Sequence, residues 1–201
     1  LFCELLDNRK KLLGLRGGVI CCSPLQDELD FKIIIKEQFH LSYPHIFTHR
    51  KKIYMIPETY EANKLLLYEC INFPYEWQQK TVLKNNFSCI DSTIFYLDRR
   101  LYLFTTKYIR NNKKQNIKYL FKINNLLNSK LRLIKKNILP PRYRGGGNTF
   151  TNNNNLYIPI QPSKVNFYGQ KLCIYRIKKI KNNEIVFQYC YDVKIPSIYK
   201  G

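Results

Sequence analysis

Apolar and polar residues alternate along most of this chain in short runs separated by polar, turn-forming stretches, and no segment of useful length carries a helical period. Such alternation, rich in β-branched and aromatic residues, predicts strands. Leu1–Leu6, Gly17–Ser23 and Phe31–Lys36 form a first group, joined by turns over Asp7–Gly14 and Pro24–Asp30. Pro44–Thr48, Lys52–Pro57, Lys64–Cys70 and Lys80–Lys84 form a second, with a loop over Asn72–Trp77. The third comprises Ser92–Leu97, Arg100–Thr106, Ile117–Ile123 and Lys130–Lys135, and includes a basic loop over Ile109–Asn116. The fourth comprises Asn148–Thr151, Leu156–Ile160, Lys171–Ile177 and Glu184–Val193, its first hairpin turned by four asparagines, which tolerate left-handed backbone angles.

The groups are copies of one unit. Phe47 and Phe95 lie 48 positions apart, as do Tyr54 and Tyr102, and 55 positions separate both Phe95 from Phe150 and Tyr102 from Tyr157. A period of roughly 40 to 55 residues with about four short strands per unit is the signature of a β-propeller. The expectation is therefore an all-β propeller occupying residues 1–201 as a single domain. It has a partial blade over 1–39 that lacks its innermost strand, and blades at about 40–88, 89–140 and 141–201. Because the chain opens on Leu1 inside an apolar strand, it reads as a piece of something longer.

A chain of 201 residues that is 45% hydrophobic can bury a core, and no apolar run reaches the roughly 20 residues of a membrane span. Seven cysteines without a Cys-x-x-Cys pair or nearby histidine speak against a zinc site and for reduced core thiols. No metal and no cofactor are expected. The net charge of +20 invites a polyanion, but the lysines are spread over every turn and outer strand, so a solvated surface is the simpler account and no specific nucleic acid is expected.

In a propeller the inner-strand starts and the ends of the second strands open on one face. Four positions before the three phenylalanines stand Tyr43, Asp91 and Gly146, the last inside a glycine run preceded by Arg144. At the ends of the second strands stand Glu4, Glu58, Thr106 and Gln161, spaced by 54, 48 and 55 positions. Carboxylates, amides and one guanidinium over an apolar funnel suit a polyhydroxylated ligand, and a phosphate could sit on Arg144 and the glycine N–H groups. Each residue has a plainer alternative. His40 either shapes this mouth or caps the strand start; Glu58 either binds or is an ordinary strand-end glutamate. Asp91 either contacts ligand or closes an Asx turn with Thr93. Tyr43 is part wall and part stacking surface, and Arg142 competes with Arg144 for the inward position.

Several of these segments, HLSYPHIF at His40, IYMIPET at Ile53, LYECINFPYEW at Leu67, DSTIF at Asp91, the R-x-G-G-x-x-F pattern of Arg144–Phe150 and the Gln161–Leu172 stretch ending in FYGQKL, resemble the N-terminal domain of plant glucosamine inositolphosphorylceramide transferases and its bacterial relatives. The resemblance covers nearly the whole chain and implies a propeller like the five-bladed arabinanase-like and invertase-like glycosidases. A second arginine usual in the glycine pattern is Asn148 here, and the inner strand of the first blade, with its Asp-Pro motif, lies outside the chain. The likeness implies a carbohydrate, nucleotide-sugar or glycolipid head group as partner and an adjoining catalytic domain. It implies the Golgi lumen, whereas free cysteines would suit the cytoplasm. Three functions follow as expectations: a sugar-conjugate-recognising module accessory to a glycosyltransferase, a glycosidase-like enzyme using Glu58 and Asp91 as a carboxylate pair, or a basic polyanion-binding scaffold.

Overall fold

The computed structural model describes residues 2–5, 17–25, 28–109, 116–162, 171–179 and 184–193. The predicted Asp7–Gly14 turn, most of the Ile109–Asn116 loop and most of the Gln161–Leu172 stretch lie outside the described residues.

Four antiparallel sheets follow one another along the chain. The first contains β1 (Phe2–Leu5), β2 (Gly17–Leu25) and β3 (Glu28–Glu37). The second contains β4 (Ser42–His49), β5 (Lys52–Glu58), β6 (Lys64–Asn72) and β7 (Glu76–Asn85). The third contains β8 (Cys89–Leu97), β9 (Arg100–Lys107), β10 (Ile117–Asn125) and β11 (Lys130–Lys136). In the fourth, the inner strand is split into β12 (Tyr143–Gly145) and β13 (Phe150–Asn152), both paired with β14 (Asn155–Pro162), which is followed by β15 (Cys173–Lys179) and β16 (Ile185–Asp192). A single 3-10 turn at Tyr60–Ala62 is the only helical element among the described residues. This is an all-β propeller of sheets laid face to face, incomplete at its N-terminus: the first sheet has three strands, and β1 packs directly on β4.

The landmarks that gave the period turn out to be cross-strand partners. Phe47 pairs with Tyr54, Phe95 with Tyr102 and Phe150 with Tyr157, and in each pair the rings stack at 5.4–5.7 Å. Aromatic pairs opposite one another fix strand register, since a one-residue slip would turn every side chain to the wrong face. Between the sheets lie three apolar layers. One holds Val19, Leu41 and Met55, the next Ile56, Leu67, Leu103 and Phe121, and the third Phe104, Leu120, Ile158 and Ile160.

Three details depart from the sequence reading. The fourth inner strand, expected at Asn148–Thr151, is split into β12 and β13, because Tyr143–Gly145 also pairs with β14 ahead of the glycine run. The Pro24–Asp30 segment is mostly strand, because β2 and β3 stay paired out to Leu25 and Glu28. Trp77, expected in a loop, lies in β7, where its indole N–H donates to the Pro74 carbonyl at 2.8 Å and its ring meets Phe2 edge-on across the first two sheets.

Each inner hairpin turns in two residues that both have positive φ: Arg50 (49°) with Lys51 (64°), Asp98 (49°) with Arg99 (58°), and Asn153 (46°) with Asn154 (59°). Such turns follow the right-handed twist of the strands and favour Asn and Gly. A residue with a bulky side chain there costs roughly 1 kcal/mol. The asparagines of the fourth sheet fit that rule, and the arginines and lysine of the second and third do not.

Candidate functional site

The inner strands of the second and third sheets carry the same irregularity at the same place. Pairing jumps from Ser42 to His45 in β4 and from Ile90 to Thr93 in β8, with Tyr43 (φ 46°) and Asp91 (φ 51°) at the bulges. A bulge leaves its residue unpaired and re-aims its side chain. Across from these breaks, Ser42 pairs with Glu58, Ile90 with Thr106 and Arg144 with Gln161, so the three second-strand ends sit in one structural register. The polar positions expected to share a face therefore occupy the same end of their sheets.

At that end Asp91 and Arg144 form a two-pronged ion pair: the guanidinium donates from Nε to Oδ2 at 2.6 Å and from Nη2 to Oδ1 at 2.7 Å. Asp91 is 2% exposed. Its carboxylate thus bridges the third and fourth sheets and does not close an Asx turn with Thr93. Arg144 is the inward arginine, while Arg142 is exposed. Because Arg144 is committed to Asp91, a phosphate resting on it would have to compete with a buried carboxylate. Gly145 allows the close approach: a Cβ there would fall 2.9 Å from the Asp91 carbonyl oxygen and 3.0 Å from its Cβ.

Glu58 is buried beside this pair. Its Oε2 accepts from the Asp91 backbone N–H at 3.3 Å, and its Oε1 lies 3.9 Å from His40 Nε2. Burial, with the Asp91 charge adding to it, pushes the Glu58 carboxyl up to about 8, so it is largely protonated at neutral pH and can donate as well as accept. Burial also raises the Asp91 carboxyl, against the opposing pull of Arg144. The Tyr43 hydroxyl lies 3.1 Å from Thr93 Oγ1, and burial pushes its phenol up to about 12.

The remaining sequence candidates fall around this centre. Gln161 is half-buried, and Glu4 is exposed on β1, close enough for its charge to raise the Asp91 carboxyl further. Thr106 is sealed at 1% exposure. His40 is part-exposed, and its backbone N–H donates to Glu61 at 2.9 Å.

Two residues escaped the sequence reading. His45, 4% exposed, accepts the Ile94 N–H at Nε2 (2.9 Å), which leaves its proton on Nδ1 to be donated to Asn148 Oδ1 at 2.6 Å. Burial lowers its affinity for a second proton, so the ring stays neutral. A signal was present, since the 48- and 55-residue spacings carry His45 onto Thr93 and Thr93 onto Asn148, a second polar column beside the first. Asn148, standing where an arginine was expected, thus completes a three-sheet lock. Replacing His45 with alanine should cost about 1–3 kcal/mol in urea unfolding, because the Ile94 N–H loses its buried acceptor. Lys118 is the other: 1% exposed and paired across strands with Thr106, it donates to the Asn116 carbonyl at 3.1 Å and to the Pro141 carbonyl, and burial lowers its amine to about 8. Nothing in the sequence set this lysine apart from its many neighbours.

Among the described residues no three His, Cys, Asp or Glu side chains converge as a metal site, and no helix is long and apolar enough to cross a membrane. The arrangement offers a neutral carboxyl, an imidazole, a phenol and an amide around a clamped Asp91–Arg144 pair.

Comparison with known proteins bears on the family and the fold. The family described as "Glucosamine inositolphosphorylceramide transferase 1, N-terminal" matches residues 26–196. Glucosamine inositolphosphorylceramide transferase 1 of Oryza sativa subsp. indica is 31% identical over 160 residues, covering 76% of this chain and 21% of the relative. That of Arabidopsis thaliana is 29% identical over 161 residues, covering 76% and 20%. The chain thus spans about a fifth of the length of the curated relatives it matches. Among solved structures, the α-L-arabinanase of Cellvibrio cellulosa complexed with arabinohexaose superposes with a TM-score of 0.60 at 11% identity, covering 93% of this chain and 72% of that one. An α-L-arabinofuranosidase from Lactobacillus brevis superposes at 0.57 and 12% identity, covering 81% and 60%. At such identities the likeness concerns the fold. By its match over residues 26–196, the chain belongs to the family of the glucosamine inositolphosphorylceramide transferase 1 N-terminal domain, built as an arabinanase-like propeller.

Proposed function

We propose that this chain is a sugar-conjugate-recognising propeller module that works beside a glycosyltransferase or sugar-modifying domain. Its ligand is a carbohydrate, nucleotide-sugar or glycolipid head group held over Glu58 and Gln161, with His40, Tyr43 and Glu4 at the rim. The observation that carries the reading is the Glu58–Asp91–Arg144 cluster, in which three sheets spend buried polar groups at one end of an otherwise apolar stack. Buried polar groups are costly unless satisfied, and a neutral carboxyl and an amide at equivalent strand ends offer the donors and acceptors that sugar hydroxyls need. The relatives' name, glucosamine inositolphosphorylceramide transferase 1, supports the same ligand class.

A hydrolytic pair is the weaker reading. Glu58 has the raised pKa of a general acid, but both Asp91 carboxylate oxygens are taken by Arg144, which leaves Asp91 poorly placed as base or nucleophile. Calorimetric titration with UDP-N-acetylglucosamine and with glucosaminyl-inositol phosphate should show saturable binding to one of them. The Glu58→Ala/Gln161→Ala double variant should weaken it at least tenfold. No saturable binding to either compound, or an unchanged affinity in the double variant, would count against the assignment.

A further inference from the structure

The opposite ends of the sheets carry a second pattern that the candidate site does not use. There Arg50 and Lys51 turn the β4–β5 hairpin, Arg99 turns β8–β9 with Arg100 next to it, and the β6–β7 turn raises Ile71 and Phe73. All four cations are exposed, and none forms an ion pair with a described residue, although neighbouring Lys52 is paired with Glu69 and Lys179 with Asp98. Ile71 is 60% exposed and Phe73 55%. The two inner turns are clamped side by side by the rings of His49 and Tyr96, whose Nδ1 and hydroxyl lie 2.6 Å apart. The backbone at these turns asks for Asn or Gly, and Arg50, Lys51 and Arg99 stand there instead with φ of 49°, 64° and 58°. Residues that break a local preference without a packing gain mark a functional constraint.

We propose that this end of the propeller is a docking surface for an anionic lipid bilayer. Cations raised at turn tips meet the negative headgroup layer, and Ile71 and Phe73, at the same end but on the outer side of the second sheet with the Phe73 ring 6.0 Å from that of Phe2, enter the boundary between headgroups and acyl chains. A nucleic acid would use the cations but has no place for an aliphatic isoleucine, and a stacking groove is not what these separate tips provide. A bilayer uses both. Because the Glu58–Asp91–Arg144 mouth lies at the other strand ends, docking leaves it facing water, open to a carbohydrate or nucleotide-sugar from the aqueous side and turned away from any glycolipid head group of the same bilayer. The inference stands apart from the proposed function, since neither set of residues serves the other.

The test is sedimentation of the 201-residue chain with vesicles of phosphatidylcholine alone and of phosphatidylcholine with 30% phosphatidylserine, in 0.1 M salt. Binding is expected to the second and not the first. Each cation at an anionic surface is worth about fivefold in partitioning, so Arg50→Gln/Arg99→Gln should lower it at least tenfold, and Ile71→Ser/Phe73→Ser should do likewise. The thermal unfolding midpoint checks that each pair folds, and Ile71→Ser alone takes the place of the apolar pair if that pair does not, with the same expectation of a clear loss. A chain that stays in solution with both vesicle types overturns the proposal. So does binding to the anionic vesicles that the Ile71→Ser/Phe73→Ser pair leaves within twofold, because that would be generic attraction of a basic chain to any polyanion.

Discussion

Replacing Arg144 with methionine should lower the stability of the propeller by about 3–5 kcal/mol, the range found when one partner of a buried ion pair is removed. Methionine keeps most of the arginine stem, so the loss reports the charge. Asp91 is 2% exposed, and both of its carboxylate oxygens are engaged by Nε and Nη2 of this one guanidinium. Without it the carboxylate must take up a proton or remain buried and uncompensated, with only the field of Lys118 to offset it. Since Asp91 belongs to β8 and Arg144 to β12, the same change also loosens the junction of the third and fourth sheets. The check is a urea-unfolding midpoint for Arg144→Met, Asp91→Asn and the double variant. The double variant should lose clearly less than the two single losses combined, because neutral asparagine leaves no charge stranded. An Arg144→Met protein within 1 kcal/mol of the native chain would mean that the pair is not the joint described here.

Replacing Glu58 with glutamine should do the reverse and stabilise the protein, increasingly so in alkali. The folded carboxyl titrates at about 8, well above its ordinary 4.5 in the unfolded chain. Between these values the folded state holds a proton that the unfolded state has released, so stability falls as pH rises through the window. Below pH 4.5 Glu58 contributes no penalty, and above pH 8 the penalty is complete, on the order of 5 kcal/mol. Glutamine mimics the neutral carboxyl and removes the dependence. The difference in unfolding free energy between Glu58→Gln and the native chain should therefore be small at pH 5 and reach a few kcal/mol by pH 9. His45, whose lowered proton affinity makes the protein lose stability as pH falls below 6.5, is present in both proteins and cancels from that difference. A difference that stays flat from pH 5 to 9 would show that Glu58 titrates as an ordinary exposed glutamate.

The repeat was legible because it is written in large side chains with a structural duty. Phe47, Phe95 and Phe150 and their tyrosine partners fix register, and register is what sequence spacing records. The same spacing placed Glu58, Thr106 and Gln161 at equivalent strand ends, but it could not say which of them is exposed, and Thr106 proved sealed while Gln161 remained part-open. Glycines at 145 to 147 were visible as a turn, whereas the reason for Gly145, the Asp91 carbonyl oxygen that a Cβ would meet at 2.9 Å, comes from a different sheet.

Periodicity thus determined that the chain is a β-propeller, where most of its strands lie, and which polar positions recur; β12 at Tyr143–Gly145 was not among the strands it gave. Only the tertiary structure decided how those positions are spent: Asp91 on Arg144, His45 on Asn148 and the Ile94 backbone, Lys118 on two carbonyls, and Glu58 held neutral. The physical reason is that strand alternation is a local property of neighbouring residues. Desolvation and ion pairing depend on what the next sheet brings within 3 Å, some 50 residues away along the chain.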